Sequence, residues 1–200
     1  MDDAGAPCLS RAMIRSRRAF PSVLVVALLV ATVLTLWAMG RSLICPCGAV
    51  ALWHGPGDPG PSSQSLLDWY TPSHLMHGLL FFAVLWWGAR AMPLRWRLVI
   101  AMAVECLWEI AENTPWVIER YRSATVSVDY NGDAVINSTV DILAMLLGFA
   151  LARRLPVWAS VVLVVGFEAL TTVLIRDGLA LNILMLLWPL QSVLDWQAGG

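Results

Sequence analysis

Asp133, Asn137 and Asp141 recur every fourth residue along one apolar stretch of this chain. Glu105, Glu109 and Glu112 recur at i, i+4 and i+7 along a second, and His74 and His77 lie three apart in a third. At about 100° per residue each set falls on one face of a helix. Carboxylates, amides and imidazoles are the groups that move protons and hold cations. In hydrocarbon they are costly and are retained mainly where they line a cavity, bind an ion or do chemistry. The three stripes are therefore expected to face one another around a pocket.

Several chemistries fit such a pocket. His74 and His77, with Glu109, form a candidate ligand set for zinc, manganese or iron. The spacing is not the His-Glu-x-x-His of zinc proteases, whose histidines are four apart. The competing reading makes both histidines interfacial groups bonded to backbone or headgroups. Acid–base catalysis is the second chemistry, with Glu109, Glu112, Asp133, Asn137 and Asp141 as the catalytic set. Clustered carboxylates in low dielectric cannot all ionise, so one can donate a proton while a neighbour accepts. A substrate at that depth is a lipid headgroup or a lipid-linked sugar or phosphate. Asn113 and the arginines Arg120, Arg122 and Arg176 are its candidate binding residues; taken singly, each arginine also fits ordinary interfacial anchoring. A third reading is a proton- or cation-coupled transporter, and a fourth is polar packing between helices. No inverted repeat is visible to favour transport, although a homo-oligomer would supply a second half.

The elements that must position these residues are membrane-spanning helices. The chain has 200 residues, 58% hydrophobic and 14% charged, which is too apolar for a soluble domain of that length. Net charge is −1, so composition implies no nucleic-acid partner; membrane lipids are the expected surroundings. Spans are expected at about 20–39, 73–89, 98–113, 133–152 and 157–175, each near the length of about 20 residues that crosses hydrocarbon. A further uncharged segment at 178–194, interrupted by Pro189, reads as a sixth span or a re-entrant hairpin. The fold class expected is thus all-α and polytopic, with five or six helices. A basic tail over residues 1–19 precedes a single helical domain over 20–195, and Phe20 to Met39 reads as a retained signal anchor. Trp116 to Tyr130 reads as an interfacial segment.

All thirteen basic residues are arginines. Placing the N-terminal cluster in the cytoplasm also puts Arg90, Arg95, Arg97, Arg153 and Arg154 there, as the positive-inside rule requires. His74, Glu109, Glu112 and Asp133 then gather at the outer end of their helices, which makes the pocket outward-facing. Of the four cysteines, Cys45 and Cys47 are separated only by Pro46, a spacing read as too short for an ordinary disulfide. Cys106 reads as a packed thiol.

The run Glu105-Cys-Leu-Trp-Glu-Ile-Ala-Glu-Asn-Thr-Pro115, followed by Asp129-Tyr-Asn-Gly-Asp-Ala-Val-Ile-Asn-Ser138, resembles a bacterial multi-pass inner-membrane family known as a domain of unknown function. The resemblance runs from the first span to Leu181–Met185 and implies a plasma-membrane location without an activity. A more distant resemblance is to VanZ-like membrane proteins, on Asp141 and Gly148, with Met145 where those proteins carry Asn; it implies a cell-envelope role. The functional expectation is a site for an envelope lipid or lipid-linked molecule, with a divalent metal as a candidate cofactor.

Overall fold

The computed structural model describes residues 6–55, 63–125 and 127–199, without the side chains of 6–19. Among these residues the chain is helical: α1 (Ala6–Ala38), α2 (Thr71–Gly88), α3 (Leu94–Glu112), α4 (Pro115–Ala124), α5 (Val135–Arg154), α6 (Val157–Ile175), α7 (Leu179–Leu187) and α8 (Gln191–Gln197). The only extended pairing among them is an isolated bridge between Trp53 and Leu67.

Among the described residues three helices are long and apolar enough to cross a membrane: α1 over Phe20–Ala38, α5 and α6. That is fewer than the five or six expected, and the difference lies in the polar stripes. His74 and His77 dilute α2, while Arg95, Arg97, Glu105, Glu109 and Glu112 dilute α3. The segment after Arg176 is two short helices broken at Trp188–Leu190. At 1.5 Å per residue the nine residues of α7 reach only about 13 Å, against a core of about 30 Å. The basic tail is not wholly separate from the first span, because α1 already begins at Ala6. The Gly/Pro-rich loop at 55–61 falls almost entirely outside the described residues.

Burial is inverted relative to a water-soluble bundle. Valine, leucine and tryptophan side chains cover the outside of α1 and α6, and Thr171 is the one buried residue of α6. Glu105, Glu109, Asn113, Asn137 and Asp141 are buried. Apolar atoms outward and polar atoms inward suit a lipid surround.

The inner layer is α2, α3 and α5. Ala101, Met102 and Cys106 of α3 pack with Ile142, Met145 and Phe149 of α5. Gly78 and Gly148 set the approach of α2 to α5. A Cβ on Gly78 would collide with the Met145 carbonyl oxygen, and one on Gly148 with that of Leu75. Small residues at such a crossing let two backbones touch. A Cβ on Gly166 of α6 would meet nothing within 4 Å.

Local chemistry sets the helix ends. Pro72 starts α2 in its first turn. Thr114 caps α4 by accepting from the Val117 N–H, with Pro115 following it. The helix α5 starts at Val135, two residues later than the sequence suggested, because the Asp133 backbone is engaged elsewhere and Gly132 sits at φ +86°.

Candidate functional site

The site is built where the C-terminal half of α3 meets the first turns of α2 and α5. Glu105, fully buried on α3, lies between the two histidines of α2: its Oε1 is 2.7 Å from His74 Nδ1 and its Oε2 is 3.0 Å from His77 Nδ1. An ionised carboxylate only accepts, so this geometry places the Nδ1 protons on the imidazoles. One turn on, Glu109 Oε1 is 3.3 Å from His74 Nδ1. Glu109 Oε1 and Asp141 Oδ1 are both buried with no hydrogen-bond partner among the described residues.

The outer edge of the cluster is fully bonded. Asn113 Nδ2 donates to Asp133 Oδ2 at 2.8 Å, and the Asp133 N–H donates back to Asn113 Oδ1 at 2.7 Å. Tyr130 donates its hydroxyl to Asp133 Oδ1 at 3.0 Å. Burial pushes the Asp133 carboxyl up to about 6, against the hydrogen bonds from Asn113 and Tyr130, which favour its charged form. Asn137 donates to the Ser65 carbonyl at 2.9 Å and so ties α5 to the loop before α2. Asp177, between α6 and α7, accepts from the Tyr70 hydroxyl at 3.1 Å and from the Gly178 N–H at 2.8 Å. Burial raises its carboxyl, and these two bonds oppose the rise.

Two cavities meet here. A polar one of about 20 Å³ is lined by residues that include His74, Glu112, Asp133, Asn137 and Asp141. That volume suits about one water-sized species. A larger one of about 180 Å³ is walled by Phe81, Val104, Trp108, Leu179 and Ile183, with His77 also on its lining. Tyr70, His74, Glu112, Tyr121 and Asn182 border both.

The three stripes are thus brought together, with Glu109, Glu112, Asp133, Asn137, Asp141, His74 and His77 around one locus and Asn113 at its edge. The arginines expected to bind substrate stand apart. Arg120 Nε donates to the Leu186 carbonyl at 2.8 Å, Arg122 Nε to that of Val128 at 3.3 Å, and Arg176 Nη1 to that of Trp196 at 2.7 Å. None of them lines either cavity. Arg41 bonds the Asn131 carbonyl and borders a cleft shared with Gly132 and Asp133.

Sequence reasoning saw Glu105 in a stripe but gave it no role, and it missed Tyr70, Tyr121 and Asn182. Tyr121 donates to Asn182 Oδ1 at 2.8 Å across α4 and α7, a pairing that no sequence spacing announces. The reading of Cys45 and Cys47 is also corrected: they form a disulfide. The Gly48 N–H bonds the Cys45 carbonyl at 2.9 Å, and the turn at Pro46 brings the Cα atoms of the two cysteines to 5.1 Å.

Comparison with known proteins gives a consistent relationship. Residues 36–199 match the family described as Protein of unknown function (DUF2585). The UPF0314 protein of Paracoccus denitrificans is 58% identical over 184 residues, covering 92% of this chain and 95% of the relative. The UPF0314 protein of Sinorhizobium fredii is 53% identical over 167 residues, covering 84% of this chain and 85% of the relative. A further UPF0314 protein, from Rhizobium meliloti, is 52% identical over 161 residues, covering 80% and 82%. No solved structure matches the chain at a significant level.

Proposed function

The chain belongs to the DUF2585 family of proteins of unknown function, and we propose that it is a multi-pass inner-membrane protein whose outward-facing site binds and acts on an envelope lipid or lipid-linked molecule. The observation that carries this reading is the junction of the two cavities. An apolar slot walled by Phe81, Val104, Trp108 and Ile183 runs into a polar pocket holding Glu112, Asp133 and Asp141, across a shared border at His74 and Tyr121. Such a junction is complementary to an amphipathic ligand, with its chain in the slot and its polar end at the cluster.

The chemistry assigned to the cluster is proton transfer at that polar end. His74, held at Nδ1 by Glu105, lines both cavities, where an oriented imidazole serves as base or as metal ligand. Glu112 and Asp141 stand across the polar pocket as partners for the returning proton.

In this reading α2 and α3 cross the membrane with α1, α5 and α6, and α7–α8 form a re-entrant element. The N-terminus lies in the cytoplasm. The Cys45–Cys47 disulfide supports that orientation, because a disulfide in the loop after α1 is favoured in an oxidising compartment.

Lipid extracts of the detergent-purified protein test the proposal. A discrete amphipathic species is expected by mass spectrometry in the wild type and is expected to disappear in Ile183→Trp, which fills the slot. A lipid profile identical in the two proteins and in an unrelated membrane protein overturns it. For the catalytic part, Glu112→Gln and Asp141→Asn are each expected to fail to complement a deletion strain at normal protein abundance. Full complementation by both removes that part.

One observation favours a second reading, coupled transport. His77, Glu105, His74 and Glu109 form an unbroken series of contacts of 2.7–3.3 Å that spans α2 and α3. A series of that kind can relay protons. Solute flux in liposomes that collapses with the proton gradient would select it over the enzyme.

A further inference from the structure

We propose that His74, Glu109 and Asp141 form a binding site for one divalent first-row transition cation, such as zinc or manganese. The inference rests on reading the cluster as functional and adds the species that it holds.

Two buried atoms start the argument. Glu109 is 1% exposed and Asp141 4%, yet Glu109 Oε1 and Asp141 Oδ1 accept no hydrogen bond from the described residues. Leaving a buried acceptor unpaired costs about 1–3 kcal/mol, and more for a charged group. Both atoms belong to residues that converge on one point: one donor atom each from His74, Glu109 and Asp141 lies within 4.8 Å of the other two. Ligands held about 2.1 Å from a common ion stand about 3.4 Å apart at tetrahedral angles and about 4.2 Å apart when opposed. Closing each pair by at most about 1.4 Å therefore completes a tetrahedral set.

The surroundings complement a cation. Glu105, bonded to His74, and Glu112 and Asp133, on the polar cavity, add carboxyl groups near the donors, and among the described residues no arginine lines either cavity. One imidazole and two carboxylates, without a thiolate, is a donor set that suits zinc, manganese or ferrous iron. It does not suit calcium, which takes an all-oxygen shell. The adjoining polar cavity of about 20 Å³ leaves room for about one water as a remaining ligand. Glu105 is a positioning residue here, since its carboxylate holds the His74 ring at Nδ1. Two of the donors sit beside a close helix crossing: His74 is one turn from Gly78 and Asp141 two turns from Gly148, where α2 and α5 meet backbone to backbone.

The test uses the full chain in detergent, stripped with EDTA and titrated with zinc and, separately, manganese. Uptake of about one ion per chain with a raised unfolding midpoint is expected for at least one metal. Asp141→Asn and Glu109→Gln are expected to weaken uptake by about tenfold or more, while Asp129→Asn, a change in the loop before α5, leaves it unchanged. A wild type that takes up neither metal and shows no shift overturns the proposal, as does undiminished uptake by both variants. The wild-type shift decides the matter if the variants do not fold. Lipid content measured in the same samples separates the two readings: lipid without metal overturns only the ion, and metal without lipid overturns only the ligand.

Discussion

Asn113 and Asp133 grip each other reciprocally: the Asn113 amide donates to the Asp133 carboxylate at 2.8 Å while its oxygen accepts the Asp133 N–H at 2.7 Å. The pair joins the last residue of the α3 turn to the approach of α5 and thereby fixes where two of the three stripes meet. Asn113→Ala leaves a buried N–H and one carboxylate oxygen without these partners, so a loss of about 2–3 kcal/mol is expected. Thermal unfolding in detergent reads it.

Asp133 also gives a pH signature. Its carboxyl is raised from 3.8 to about 6, mainly by burial. The folded protein therefore binds a proton that the unfolded chain releases between those values. The stabilisation from this group is complete below pH 3.8, falls as pH rises through about 6 and is absent above it. The upper bound is about 3 kcal/mol. Asp133→Asn is expected to flatten this component of the stability profile; an unchanged slope contradicts the assignment.

The α2–α5 crossing predicts a contrast among glycines. Gly148→Ala pushes a methyl into the Leu75 carbonyl and Gly78→Ala into that of Met145, so each is expected to cost about 1–3 kcal/mol. Gly166→Ala meets nothing within 4 Å and is expected to stay within about 1 kcal/mol of wild type. Unfolding midpoints of the three variants check this ordering.

Glu105 can be probed through the histidines it holds. Glu105→Gln offers one acceptor oxygen where two imidazole nitrogens now bond. The expected result is altered 15N shifts for both His74 and His77, with the far-ultraviolet helical signal retained. Unchanged shifts would mean that the carboxylate does not fix the rings.

The orientation is checked by thiol labelling. An impermeant maleimide added outside is expected to label Cys45 and Cys47 only after reduction, with Cys106 buried and silent throughout.

The stripes were legible because a carboxylate every turn stands out against an apolar background, and helical periodicity then fixes the face. Glu105 was not legible as the hub, because its partners are 31 and 28 residues away and only the packing of α2 on α3 joins them. Tyr121 and Tyr130 belong to the segment that reads as interfacial, whereas their hydroxyls turn inward to Asn182 and Asp133, as that of Tyr70 does to Asp177. The arginines were assigned to substrate by charge, but nearby carbonyls take their N–H groups. Pro189 correctly marked a break in the last segment. Its outcome, two helices each shorter than a span, depends on where α7 starts.

That start is governed by Glu168, a carboxylate on α6. Its Oε2 accepts the Leu179 N–H at 3.0 Å and its Oε1 the Ala180 N–H at 2.9 Å. These are leading amides of α7, which otherwise have no helical partner. Because α7 carries Leu179, Asn182 and Ile183 to the wall of the larger cavity, Glu168 works as a strut that sets the width of the slot from behind. Shortening it in Glu168→Asp would move a wall of the slot without touching the polar pocket, and for the proposed amphipathic ligand would alter which chain length fits.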